Sequence, residues 1–230
     1  KGVFTSVPPH LKKGETCPDF DVCQVDTGNK NIGDTVSVGD YVLFDAEPLE
    51  LLGDRITSKA LDNRSGMAAV IAAGEKIAEA KLPLKVELLF PTGEELGLRG
   101  ARVGAYNSSA EKCISVDVSF GDCPDVSPSK TAKLGSGAMI GVSPVLSRHI
   151  YKKLKSVAEE NNIPYTLEVM GGNTSTDADV ITLSRSGIPT GLISIPLRNM
   201  HTPAETLDLK DVSAVVELIT AFVKGEAADE

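Results

Sequence analysis

The sequence predicts an α/β fold: a mixed, mainly parallel central sheet flanked by helices, with part of a small β domain ahead of it. Three observations carry this reading. Residues 1–57 hold short β-prone runs among Gly, Pro and Asp, with no convincing helical stripe. From residue 58 onward, apolar positions at helical spacing alternate with short apolar runs, and strands alternating with helices build a layered sheet. Hydrophobic residues make up 41% of the 230 positions, enough for a full core.

Taken in order, residues 32–44 read as two strands joined by a Gly-Asp turn. Met67, Val70, Ile71, Gly74, Ile77 and Ala78 then give a helical face of apolar and small residues. A strand is expected at 86–90 and another at 114–120, followed by one at 136–142. Ser143-Pro144 has the chemistry of an N-cap and first-turn proline, opening a helix whose face is Leu146, Ile150, Leu154 and Val157. A strand over 165–170, a short helix over 176–186 closed by Gly187 and an apolar strand over 190–195 follow. The last helix, 209–224, buries Val212, Val215, Val216, Ile219, Phe222 and Val223, and the acidic tail 226–230 is expected to fray. The chain has no internal repeat.

Composition excludes several functions. Aromatic residues are 4% and Trp is absent, which argues against sugar-stacking grooves and single-stranded nucleic-acid platforms. A net charge of -9 without a basic cluster argues against any nucleic-acid partner. No apolar run approaches the roughly 18–20 residues that cross a bilayer, so no membrane association is expected. Cys17, Cys23, Cys113 and Cys123 show no CxxC spacing and read as reduced thiols of a cytoplasmic protein.

Chemistry-bearing residues gather where strands end, the place where ligands bind in open α/β sheets. Glu94-Glu95 closes the apolar run 86–90 between two glycines. Neighbouring side chains of an extended segment point different ways, so one glutamate can hold a metal while the other faces substrate or water. Asp62 precedes a helix, where it is either a cap or a ligand. Asp117 sits mid-strand with Ser115 and Ser119 on one face, and a mid-strand Asp needs a partner. His201 follows the loop after the 190–195 strand; His10 and His149 read as structural. Two Asp, one Glu and one His, with a spare Glu, have the chemistry of a two-metal hydrolytic site: a bridging carboxylate, a shared water of lowered pKa and a general base.

Four segments in order, Ala60-Leu61-Asp62-Asn63-Arg64, Pro91-Thr92-Gly93-Glu94-Glu95-Leu96-Gly97, Val116-Asp117 and Met200-His201-Thr202-Pro203-Ala204-Glu205, resemble metallopeptidase family 42. These are the tetrahedral or glutamyl aminopeptidases, often labelled endoglucanase. The resemblance covers essentially the whole chain. It implies a zinc-peptidase-like catalytic domain (58–230) interrupted by a small β-barrel-like oligomerisation domain, of which 1–57 is part. It also implies that Asp62 bridges two divalent ions (Zn or Co, otherwise Mn), that Glu95 and His201 complete one site, that Asp117 binds the other ion and that Glu94 is the general base. Thr176-Asp177-Ala178 resembles a further segment near the active site. Peptides are the implied substrates, and dimers assembling to a dodecamer the implied oligomer.

The family's early His-x-Asp motif has no counterpart here, since neither His10 nor His149 has Asp two residues on. With Lys1 in first place, this leads us to expect an N-terminally truncated enzyme with a weakened second metal site and little activity. Two other functions compete with the aminopeptidase: an endoglucanase-type glycoside hydrolase, and a non-catalytic metal-binding or assembly fragment.

Overall fold

The computed structural model describes residues 1–5, 10, 23–124 and 126–229, and the chain divides into two compact units, Lys1–Asp45 and Ala46–Glu230. In the first, β1 (Val3–Phe4) pairs antiparallel with β2 (Val25–Asp26). The Phe4 and Phe44 rings lie 5.9 Å apart, and Lys1 Nζ is 2.6 Å from the Asp45 carboxylate. The two strands predicted over residues 32–44 do not form. Ile32–Asp34 is a 3-10 turn, and the residues from Thr35 to Phe44 join no ladder. A turn does form at Gly39, where Asp40 N donates to Ser37 O and Ser37 N to the Asp40 carboxylate. A strand needs a neighbour for its N–H and C=O groups and a face to bury; here Val38, Tyr41 and Leu43 are exposed. No closed barrel occurs among the described residues. Cys17 lies outside them, and Cys113 and Cys123 are free thiols.

The second unit runs β3 (Leu49–Glu50), β4 (Arg55–Ser58), α1 (Leu61–Ala80), α2 (Arg99–Asn107), β5 (Cys113–Phe120), β6 (Ala138–Val142), α3 (Arg148–Glu160), β7 (Tyr165–Val169), α4 (Ala178–Ile181), β8 (Thr190–Leu197), β9 (Glu205–Asp208) and α5 (Leu209–Asp229). Its main sheet has the order β5-β8-β6-β7, with β5–β8 and β6–β7 parallel and β6–β8 antiparallel. A second sheet, β3-β4-β9, is antiparallel throughout. The mixed, mainly parallel sheet expected from the sequence is therefore present, with helices packed on it. α1, α3 and α5 close the largest core, around Ile193, Ile195, Leu154, Val215 and Leu218. α2 and α4 meet over a smaller one of Ala101, Ala105, Ile181 and Ile188. No described helix is long and apolar enough to cross a membrane.

Element by element, several boundaries move. Residues 86–90 join no strand ladder. α3 starts one turn later than expected: Ser147 is its cap, its side chain accepting from Ile150 N, while Ser143-Pro144 forms a separate turn in which Leu146 N donates to Ser143 O. Leu146 still buries, but against Ala178 and Leu192. The helix expected over 176–186 keeps only one turn. α5 runs on to Asp229 because Glu226 is tied down by Lys112 and Lys153. On α1 the fully buried stripe is Ser65, Gly66, Ala69, Ala73 and Ile77, whereas Met67 and Ile71 of the predicted face are exposed.

Candidate metal centre

The start of α1 is irregular. Asp62 and Asn63 have non-helical backbone angles and the peptide bond between them is cis. The Asp62 side chain caps no helix N–H; its Oδ2 lies 3.1 Å from His201 Nε2. Glu95 Oε1 lies 3.2 Å from the same nitrogen. Glu95 gets there through the tight turn after Gly93, in which the N–H groups of Gly97 and Leu98 both donate to Glu94 O. One ligand atom each from Asp62, Glu95 and His201 falls within 4.8 Å of the others.

Glu205, which sequence reasoning quoted but gave no role, explains how these residues meet. It is the first residue of β9 and is 2% exposed. Its Oε2 accepts from Asp62 N at 3.0 Å and its Oε1 from His201 N at 2.8 Å. One buried carboxylate thus ties the backbone of two residues that are far apart in sequence. The β4–β9 register, Ser58 opposite Glu205, delivers it to the start of α1. The available signal was a carboxylate heading an otherwise buried strand, where a charge needs partners.

Asp117 stands outside the three-residue cluster. It is buried on β5, its Oδ1 accepts from Val118 N at 2.8 Å, and no described Lys or Arg pairs with it. Burial first, then the charges of Asp62, Glu94 and Asp177, push its carboxyl up to about 8 against the opposing Val118 hydrogen bond. Glu94 is pushed up to about 7 by burial, Glu95, Asp177 and Asp62, with His201 opposing. Asp62 is raised by burial, Glu95 and Glu205. Asp177 is raised by burial alone, and its Oδ1 is enclosed without a hydrogen-bond partner. Carboxylates crowded in this way hold their charge comfortably only when a cation joins them. Carboxylate and imidazole donors suit a divalent ion such as Zn, Co or Mn, so the residues present fit one. Asp62, Glu94, Glu95, Asp117 and Asp177 line one cavity of about 910 Å³; His201 is not on its wall.

Comparison with known proteins places the chain. The family model for M42 glutamyl aminopeptidase matches residues 1–218. A protein of Acetivibrio thermocellus is 39% identical over 192 residues, 82% of this chain and 57% of that one. The lysyl aminopeptidase of Pyrococcus furiosus is 29% identical over 231 residues, 97% of this chain and 66% of that one. The chain thus spans less than two thirds of the length of these relatives. Among solved structures, an aminopeptidase from Desulfurococcus kamchatkensis superposes with a TM-score of 0.86 at 34% identity, over 97% of this chain and 64% of that one. The TET1 peptidase of Pyrococcus horikoshii superposes at 0.80 with 31% identity, over 96% of this chain and 67% of that one. With a family model spanning nearly its whole length, this chain belongs to the M42 glutamyl aminopeptidase family.

Proposed function

We propose that the protein is a metal-dependent aminopeptidase that removes N-terminal residues from peptides. The observation that carries this is the convergence of Asp62, Glu95 and His201 ligand atoms beside a partly buried Glu94. Asp62, Glu95 and His201 would hold one divalent ion; Asp62 and Asp117 would hold a second with fewer protein ligands. Ions bound there supply Lewis acidity and lower the pKa of a bound water. Glu94 takes the proton of the attacking water on its carboxylate and returns it to the departing amine, and a pKa near neutrality suits both transfers. Glu205 fixes the backbone of Asp62 and His201, and Asp177 adds negative charge to the same cavity. Zn and Co are the preferred metals. The names of the relatives support the peptide substrate class. The description of the P. horikoshii relative as assembling into a tetrahedron or octahedral shell supports a homo-oligomer; residues 1–57 would contribute contacts to it, in the cytoplasm.

Aminoacyl arylamide hydrolysis, measured with metal titration, tests the proposal. Chelation should abolish turnover and Zn or Co restore it, with two binding events of unequal affinity. Glu94→Gln should keep its metal yet lose about 10²- to 10⁴-fold in kcat, the usual worth of a general base. Undiminished turnover in that variant would overturn the assignment of Glu94.

A further inference from the structure

Asn63 follows Asp62 in the chain, and its side chain reaches β5. Its Nδ2 donates to Val116 O at 2.8 Å. Val116 in turn precedes Asp117, whose Oδ1 accepts from Val118 N at 2.8 Å. One side-chain hydrogen bond therefore joins the immediate neighbours of two carboxylates that are far apart in sequence. The carbonyl acceptor also fixes which way the amide points, since the reverse orientation would set oxygen against oxygen.

Two local features disfavour this arrangement by themselves. Asn63 Oδ1 is enclosed and has no hydrogen-bond partner among the described residues, although a buried polar atom left unpaired destabilises a fold. Gly66 stands inside α1, where glycine is a poor helix former. Its φ is not in the left-handed region, so the helix does not use the freedom of a glycine there. What it uses is the missing Cβ: a Cβ on Gly66 would sit 2.1 Å from Asn63 Oδ1 and 3.1 Å from Asn63 Nδ2. Helix and amide thus both forgo local stability to keep the Asn63 side chain against Val116. Departures of this kind are expected where a site, and not the fold, sets the residue.

Glu205 and Asn63 act on Asp62 from different directions. Glu205 holds the backbone of Asp62 and His201, and so shapes the cluster of Asp62, Glu95 and His201 without reference to β5. Asn63 ties the same segment to the strand that carries Asp117. Two carboxylates can share an ion only at a suitable separation, and this bond governs the separation of Asp62 from Asp117.

We propose that Asn63 is a positioning residue for the second metal ion, its bond to Val116 O fixing Asp62 relative to Asp117, and that position 66 is glycine to make room for it. This rests on the two-ion reading of the proposed function.

Co(II) titration of the full, metal-stripped chain, followed by calorimetry and by the visible absorption of the bound ion, tests it. The parent should bind two ions of unequal affinity. Asn63→Ala should leave the tighter event unchanged and weaken the other about tenfold or more, the scale of a lost supporting partner. Gly66→Ala keeps every hydrogen-bonding group and improves helix propensity, yet should weaken the same event, because the added methyl displaces the Asn63 amide. It also gives the answer if Asn63→Ala does not fold. In the double variant the methyl has no amide to displace, so the second affinity should match that of Asn63→Ala alone. A residue that served only the fold would lower the urea midpoint and weaken both events alike, or neither. Either result overturns the proposal, as does undiminished second-ion affinity in Gly66→Ala. A parent with a single binding event would instead refute the two-ion reading, and this proposal with it.

Discussion

Strand β8 and residues 86–90 belong to the same unit, and both lead into the candidate centre. Every residue of β8 is buried, while Val86, Leu88, Leu89 and Phe90 are 39–42% exposed. The difference does not come from their faces, because helices cover both runs. It comes from their edges: β8 lies between β5 and β6, paired on both sides, whereas 86–90 has no strand beside it among the described residues. Apolar sequence and helix packing can position a run of chain, but burial is completed only by the ladder.

Hydrogen exchange gives the largest expected contrast. Amides of 192–195 should exchange only through global opening, and those of 86–90 through local opening, with rates differing by about 10³-fold or more. Mutation sharpens the comparison. Ile193→Ala removes a fully buried side chain from the main core and should cost about 3–4 kcal/mol, while Leu88→Ala should cost about 1 kcal/mol, since part of its surface is already wet. Urea unfolding checks both. Equal costs would mean that edge pairing is not what separates the two runs.

The same contrast explains what was legible in the sequence. Helical stripes such as Ile150, Leu154 and Val157 and the apolar run 190–195 could be read because periodicity reports which faces are buried. The strands expected at 32–44 and 86–90 could not, because periodicity does not say whether a partner lies alongside. α1 shows a subtler case. Of its predicted face only Ile77 is buried, Met67 and Ile71 are exposed, Met67, Val70 and Gly74 line the cavity, and the stripe buried in the core consists mostly of smaller residues. At the site, residue chemistry marked Asp62, Glu94, Glu95, Asp117 and His201 as candidates. Glu205 escaped because its contribution is two hydrogen bonds to backbone, which no side-chain pattern announces.

Glu205 offers the next largest effect, at the point where β9 meets the start of α1. Glu205→Ala leaves the Asp62 and His201 N–H groups without their acceptor, which should cost about 2–4 kcal/mol. It should also weaken binding of the tighter metal ion about 10- to 100-fold, as loss of a supporting partner typically does. Glu205→Gln keeps the shape and at least one acceptor, so it should recover much of the stability and part of the affinity. Calorimetric metal titration of both variants tests this; unchanged affinity in Glu205→Ala would remove Glu205 from the centre's support.

The smallest effect lies within the main sheet. Glu168 on β7 accepts hydrogen bonds from Ser119 Oγ of β5 and from Ser194 Oγ of β8, the latter at 2.7 Å. Burial raises its carboxyl above the ordinary glutamate range, and the two hydroxyl bonds only partly oppose this. The folded chain therefore holds this proton more tightly than the unfolded chain does. The resulting stabilisation is complete below the unfolded value, about 4.3, and is lost as pH rises from there through the raised folded value. Glu168→Gln is neutral throughout, so its stability should lack this component of the decline and differ from the parent by about 1 kcal/mol or less at neutral pH. Urea midpoints measured for both chains on either side of that window decide the matter. Parallel pH profiles would show that Glu168 titrates alike in the folded and unfolded chains, and that its two serine bonds fully offset its burial.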